Sequence, residues 1–192
     1  MSLQSWQETL VAAQGDGTAL ASSTTATSIL PTAAQYTLPA NYFSAIGKMI
    51  RITAAGRVST VVTTPGTLTL DIRLGTLASP IVVFNGGAMN LNTTAQTNAT
   101  WQFQAILTAR ALGSGTSANL LGTAWFSSRA IIGSAAVAAG GDNIDLLPDT
   151  APAVGTGFDS TITNVLDFFA KWSVSNAANS IQVHQYFVES LN

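Results

Sequence analysis

The sequence predicts an all-β fold: a single-domain antiparallel β-sandwich, with a jelly roll as the first choice and an immunoglobulin-like sandwich as the alternative. Three observations lead there. Apolar and polar residues alternate with a period of two through several long segments, the pattern of strands with one buried face. Clusters of Gly, Pro, Asn and Ser separate those segments at turn positions. No segment carries a sustained helical period, and about eight strands suit two Greek keys, whereas the cysteine pair of many immunoglobulin domains is absent.

Composition narrows the function classes. A 192-residue chain fits one domain and buries roughly 70% of its unfolded surface without cross-links. It has no cysteine, which excludes disulfides, thiolate metal sites and cysteine nucleophiles. Only 8% of residues are charged, against about 25% in an ordinary soluble domain, so the surface is polar but nearly uncharged. At 47% hydrophobic residues the chain is no disordered polymer. The net charge is −2 and the seven cations are scattered at Lys48, Arg51, Arg57, Arg73, Arg110, Arg129 and Lys171. That leaves no basic patch for direct nucleic-acid binding. No charged-then-apolar leader opens the chain and no apolar run reaches about 18 residues, so neither ordinary secretion nor a membrane span is expected.

In chain order, residues 1 to 28 form an N-terminal arm or first strands, ahead of a sandwich domain over 29 to 192. Leu3, Trp6, Leu10 and Val11 follow helical spacing, and Ser5 with Glu8 fits a capping box. A strand over Glu8 to Ala13 is preferred, because Gln14-Gly15-Asp16-Gly17 is a strong turn and the Thr/Ser-rich run after it is β-prone. Ile29-Leu30-Pro31 and Tyr36-Thr37-Leu38-Pro39 read as extended pieces punctuated by proline.

Lys48 to Gly75 reads as the organising β-hairpin. Leu68, Leu70, Ile72 and Leu74 alternate with Thr67, Thr69, Asp71 and Arg73, and Thr63-Thr64-Pro65-Gly66 supplies the turn. An odd-length loop would put Arg57 opposite Arg73, an unfavourable pair unless the register differs or an acid intervenes. Some of the four cations on this segment, Lys48, Arg51, Arg57 and Arg73, are expected to meet acids on a neighbouring chain or elsewhere in the fold. Pro80 to Phe84 reads as a strand closed by Asn85-Gly86-Gly87, with a short return over Ala88 to Asn92. A second hairpin joins Thr100–Ala111 to Leu120–Ser128, with Trp101, Phe103, Ala105 and Leu107 on one face. Residues 130 to 143 are strand or loop, and Leu146 to Phe158 reads as loop. A third hairpin pairs Asn164–Val174 with Ile181–Leu191 across Asn176-Ala177-Ala178-Asn179, the last strand showing imperfect alternation.

Chemistry-bearing residues are few. His184, the only histidine, sits mid-strand and reads as a structural or surface residue rather than a catalytic one. Asp142, Asp145 and Asp149 cluster, but without the spacing of a calcium loop, and read as turn residues. The paired glycines lack the strand-to-helix setting of nucleotide binding. No catalytic residue, metal or cofactor is predicted. Aromatics out of phase with their strands are the remaining lead: Trp125 and Phe169, with Trp6 in the N-terminal segment. With Leu3, Leu10, Arg51, Arg57 and Arg73 they make up the predicted interface set, since aromatics are enriched and charge depleted at subunit contacts.

From Ile29 onward the phrases SILPTAAQYTLPANYF, KMIRITAAGRVSTVVTTPGTLTLDIRLG, FNGGAMNLN, AIIGSAAVAAGG and the last forty or so residues resemble small virion-associated proteins of tailed bacteriophages. The resemblance implies a structural, non-enzymatic virion protein, made in the host cytoplasm and similar to the jelly-roll cement or decoration proteins of capsids. It implies as partners the major capsid protein and the chain itself as a homotrimer, with no nucleic acid or membrane. A tail-fibre or receptor-binding domain recognising host glycans is the alternative. On the cement reading, residues 1 to 28 are an arm reaching a neighbour, whose deletion leaves a folded protein that no longer binds capsids.

Overall fold

The structure, a computed structural model, describes residues 7–134, 143–148, 150, 151 and 153–191. The short strands β1 (Glu8–Ala12), β2 (Leu20–Ala21), β3 (Thr27–Ser28) and β4 (Tyr36–Leu38) come first. The long strands β5 (Met49–Thr60), β6 (Thr67–Thr76), β7 (Ser79–Leu91), β8 (Gln96–Ala111) and β9 (Asn119–Ser128) follow. Then come β10 (Ile131–Ser134), β11 (Ile144–Leu147), β12 (Asn164–Trp172) and β13 (Ser180–Ser190). A single 3-10 turn over Thr32–Ala34 is the only helical piece among the described residues.

These strands make two antiparallel sheets. Sheet A runs β1-β13-β5-β8-β9-β11, with β2 also on β13; sheet B runs β10-β7-β6-β12-β3, with β4 also on β12. The inner faces alternate as the sequence predicts. Ile50, Ile52, Ala54 and Val58 of β5 and Trp101, Phe103, Ala105 and Leu107 of β8 are buried from sheet A. Leu68, Leu70, Ile72 and Leu74 of β6 and Leu166, Phe168, Ala170 and Trp172 of β12 are buried from sheet B. Phe103 meets Phe168 across the core with ring centroids 4.9 Å apart. The all-β sandwich is therefore as expected, and so are the strand near Glu8 and the β8–β9 hairpin.

The predicted Lys48–Gly75 hairpin does not exist. β5 lies between β13 and β8 in sheet A, while β6 lies between β7 and β12 in sheet B. Residues 61–66 are an arch that carries the chain across the roughly 10 Å between packed sheets. Gly66, at φ +76°, makes its corner. The predicted Arg57–Arg73 clash vanishes with the hairpin: Arg57 stands between Thr100 and Gln182, and Arg73 between Val82 and Asp167. The third predicted hairpin fails in the same way, since β12 and β13 also belong to different sheets. Alternation declares which face of a strand is apolar, and a strand arching to the opposite sheet shows the same alternation as one turning back in its own.

The two arches are tied together. Asn179, with no exposed surface, accepts a hydrogen bond from the Val61 N–H at 2.9 Å and donates from Nδ2 to the Pro65 carbonyl at 3.0 Å. The true hairpin here is β6–β7, in which Thr76 pairs with Ser79. Asn85-Gly86-Gly87 does not close β7; the strand runs through it with register shifts against β6, and Gly87 takes φ +81°. Leu146 and Leu147, read as loop, extend sheet A as part of β11 on the β9 edge.

The imperfect alternation of β13 also has a local cause. Register against β5 shifts between Val183 and Gln185, so His184 is the extra residue of a bulge. Ile181 and Val183 point inward before it, and Tyr186 and Val188 after it. Residues 8–28 are edge strands of both sheets: β1 and β2 border β13, and β3 borders β12. The arm expected to reach a neighbour is, over its described part, held on its own sandwich.

Candidate functional site

His184 Nδ1 lies 2.9 Å from Asp16 Oδ1, the turn after β1 meeting the β13 bulge. Among the described residues no serine hydroxyl joins this pair, so no nucleophile is assembled. Asp145 is buried on β11, whereas Asp142 and Asp149 lie outside the described residues. No group of three His, Cys, Asp or Glu side chains converges among the described residues.

Two of the cations on β5 and β6, Arg51 and Arg73, meet acids of the same chain. Arg51 Nη1 sits 3.3 Å from Glu189 Oε2 on the outer face of sheet A, where the two residues are register partners. On the outer face of sheet B, Arg73 Nη2 donates to Asp71 Oδ2 at 3.0 Å and its guanidinium lies 4.2 Å from the Phe169 ring centroid. This accounts for Phe169 being out of phase: a cation covers its ring. Beside it the buried Asp167 accepts from Ser28 Oγ at 2.6 Å, Gln35 Nε2 at 2.8 Å and the Phe168 N–H at 2.7 Å. Burial nonetheless pushes the Asp167 carboxyl above the usual carboxylate range, those three bonds and Arg73 opposing it. The cluster pins β3 and the 3-10 segment onto β12.

The predicted interface residues therefore do not form one surface. Arg73 and Phe169 are on sheet B; Arg51, Arg57 and Trp125 are on the outer face of sheet A; Leu10 packs from β1 against the core. Leu3 and Trp6 lie outside the described residues.

The outer face of sheet A holds the more open ground. Register places Gln104 beside Trp125 and Trp125 beside Leu146, and Ile106 beside Thr123. These side chains line a groove of about 430 Å³. Trp125 is half-buried there, while Leu146 is 71% and Ile144 58% exposed. Two residues along the same strands, Gln102 pairs with Ser127. They open into a second groove of about 490 Å³, lined also by Arg57, Asn98, Thr100 and Arg129. Arg57 donates to the Thr100 hydroxyl and to the Asn98 carbonyl at 3.4 Å, which holds its head over the groove. Neither Arg57 nor Arg129 makes an ion pair among the described residues, and no carboxylate lines either groove there.

Sequence reasoning found Arg57 and Trp125 but missed Asn98, Gln102, Gln104, Ile106 and Leu146. The signal is the outward half of the β8 alternation, Gln102-x-Gln104-x-Ile106.

No protein-family model matches the chain, and no curated protein matches it. Among solved structures the chain is similar to the CBM2 module of the evolved Dit of Lactobacillus casei BL23 phage J-1. That likeness has 10% identity and a TM-score of 0.39, over 99% of this chain and 98% of that one. It is also similar to an alginate lyase from Alteromonas sp. 272, at 7% identity and a TM-score of 0.25, over 85% of this chain and 78% of that one.

Proposed function

We propose that this chain is a structural protein of a bacteriophage virion that works by docking, and specifically a capsid cement or decoration protein. In that role it binds the outside of the major capsid lattice as a homotrimer and stabilises the head. The phage assignment rests on the sequence resemblance. The strand order β1-β13-β5-β8 in one sheet against β3-β12-β6-β7 in the other, with β9, β10 and β11 inserted before β12, is one we read as a jelly roll, the fold expected of a cement protein.

The observation that carries the docking role is how charge and apolar surface are distributed. Arg51 and Arg73 are paired within the fold, while Ile144 and Leu146 are exposed on an edge strand beside Trp125. The patch around Trp125 and Leu146 can be covered by a partner without stripping water from unpaired charges, since no charged residue among those described lines its groove. The test is to add the purified protein to capsids lacking it and to count its copies in the intact virion. A copy number matching the capsid lattice and a raised capsid melting temperature are expected; a copy number matching a tail organelle sinks the cement reading.

A specific observation favours a second reading, recognition of host glycans by a receptor-binding domain. The Trp125 groove combines an aromatic ring with the amide of Gln104 and the hydroxyl of Thr123, which suits a sugar's apolar face and hydroxyl rim. A glycan array without a hit counts against it.

A further inference from the structure

We infer that the two grooves on the outer face of sheet A form one track for an acidic oligosaccharide, its acid groups held by Arg57 and Arg129 and a ring stacked on Trp125. The inference rests on the glycan-recognition reading and adds charge and length to it.

The charge follows from the groove's own balance. The chain has a net charge of −2 and only seven Lys and Arg residues, yet two of them line one groove. Among the described residues neither is offset by a carboxylate, in contrast to Arg51 and Arg73, which are. Guanidinium is the donor suited to planar anions, since its fork matches a carboxylate or sulfate with two parallel N–H bonds. Apart from Trp101, the rest of that groove is neutral amide and hydroxyl: Asn98, Thr100, Gln102, Ser127, Ser128 and Asn143. Those groups both donate and accept, as sugar hydroxyls do.

The length follows from register. Arg57 is the partner of Thr100 on β8, and Trp125 is the partner of Gln104. Four residues of strand separate the two rows, about 13 Å at the rise of a β-strand. A single sugar ring cannot bridge that span, so the site selects a chain that lies along the strands. Gln102 and Ser127 occupy the row between and would hydrogen-bond the middle of such a chain. A nucleic-acid strand, with a phosphate at every nucleotide, calls for a longer row of cations than these two.

The test uses the full chain and titration calorimetry with four probes: polygalacturonate, its fully methyl-esterified form, heparin and a single-stranded oligonucleotide. Binding to polygalacturonate or heparin is expected to weaken as salt is raised, and the ester is expected to bind about tenfold or more weakly, the worth of a charge-assisted contact. Arg57→Ala with Arg129→Ala should reduce the acidic polymer to the level of the ester. Trp125→Ala should weaken acid and ester by the same factor. Unchanged thermal melting of each variant shows that the fold is intact. Equal binding of acid and ester, unchanged affinity in the double arginine variant, or binding of the oligonucleotide alone overturns the inference. Neutral glycans bound on an array without acidic ones overturn the acid specificity and leave glycan recognition standing; an array with no hit at all overturns both.

Discussion

Asn179 and Asp167 show how single polar residues hold this fold. Asn179 was legible only as a turn former, yet its amide fastens both arches at one end of the sandwich. Asn179→Ala leaves the Val61 N–H and the Pro65 carbonyl without a partner in a buried place. A loss of about 2 kcal/mol or more is expected, read as a lower urea midpoint at unchanged slope. Asp167, a polar residue between Leu166 and Phe168, is buried beneath Ser28 and Gln35. Its folded pKa is raised, so the fold favours the protonated form. The stabilising contribution is complete below the ordinary carboxylate value of about 3.9 and is lost as pH rises through the raised value. Asp167→Asn, which keeps an acceptor for Ser28 and the Phe168 N–H, should gain stability relative to wild type as pH rises through that window. Urea midpoints measured across pH check this; parallel curves for the two proteins would refute it.

At the scale of elements, the strands were readable and their partners were not. The inward faces of β6 and β8 carry the predicted apolar residues, because burial of one face is written into each strand separately. Which strand lies alongside is set by contacts from distant parts of the chain. The sequence carried one warning, the Arg57–Arg73 juxtaposition that a β5–β6 hairpin would create, and the structure avoids it by sending the arms to different sheets. Gly56 shows how tight the β5–β13 pairing is: a Cβ there would lie 1.9 Å from the Gln182 carbonyl oxygen. Gly56→Ala should therefore push the strands apart at the bulge and cost about 1–3 kcal/mol in chemical denaturation. The N-terminal segment makes its own prediction. Leu20 is buried, and its carbonyl accepts from Trp172 Nε1 at 3.2 Å. Deleting residues 1 to 28 uncovers the edges of β13 and β12, so the truncated protein should melt lower and self-associate. Sedimentation and thermal melting decide between this and the intact, soluble product that a detachable arm would leave.

For the whole molecule, scarcity of charge and closure of the core belong together. Two sheets packed face to face share one continuous apolar cluster that includes residues from β2 to β13. Unfolding should therefore be a single cooperative transition by both fluorescence and circular dichroism, with no separate melting of the β9–β11 region. Arg51 and Arg73 are held in ion pairs within the fold, and the outer face of sheet A keeps Arg57 and Arg129 at one end and Trp125 at the other.

The sequence by itself determined the strand class, the apolar faces of the long strands and the absence of cysteine chemistry, because each of these is decided within a few residues of the chain. Only the tertiary structure decided which turns are hairpins and which are arches, why Phe169 and Asp167 stand where they do, and that Arg57, Gln102 and Trp125 share one face. Those facts depend on pairings between strands far apart in sequence, such as β5 with β13. Period-two alternation is the same whichever neighbour a strand has.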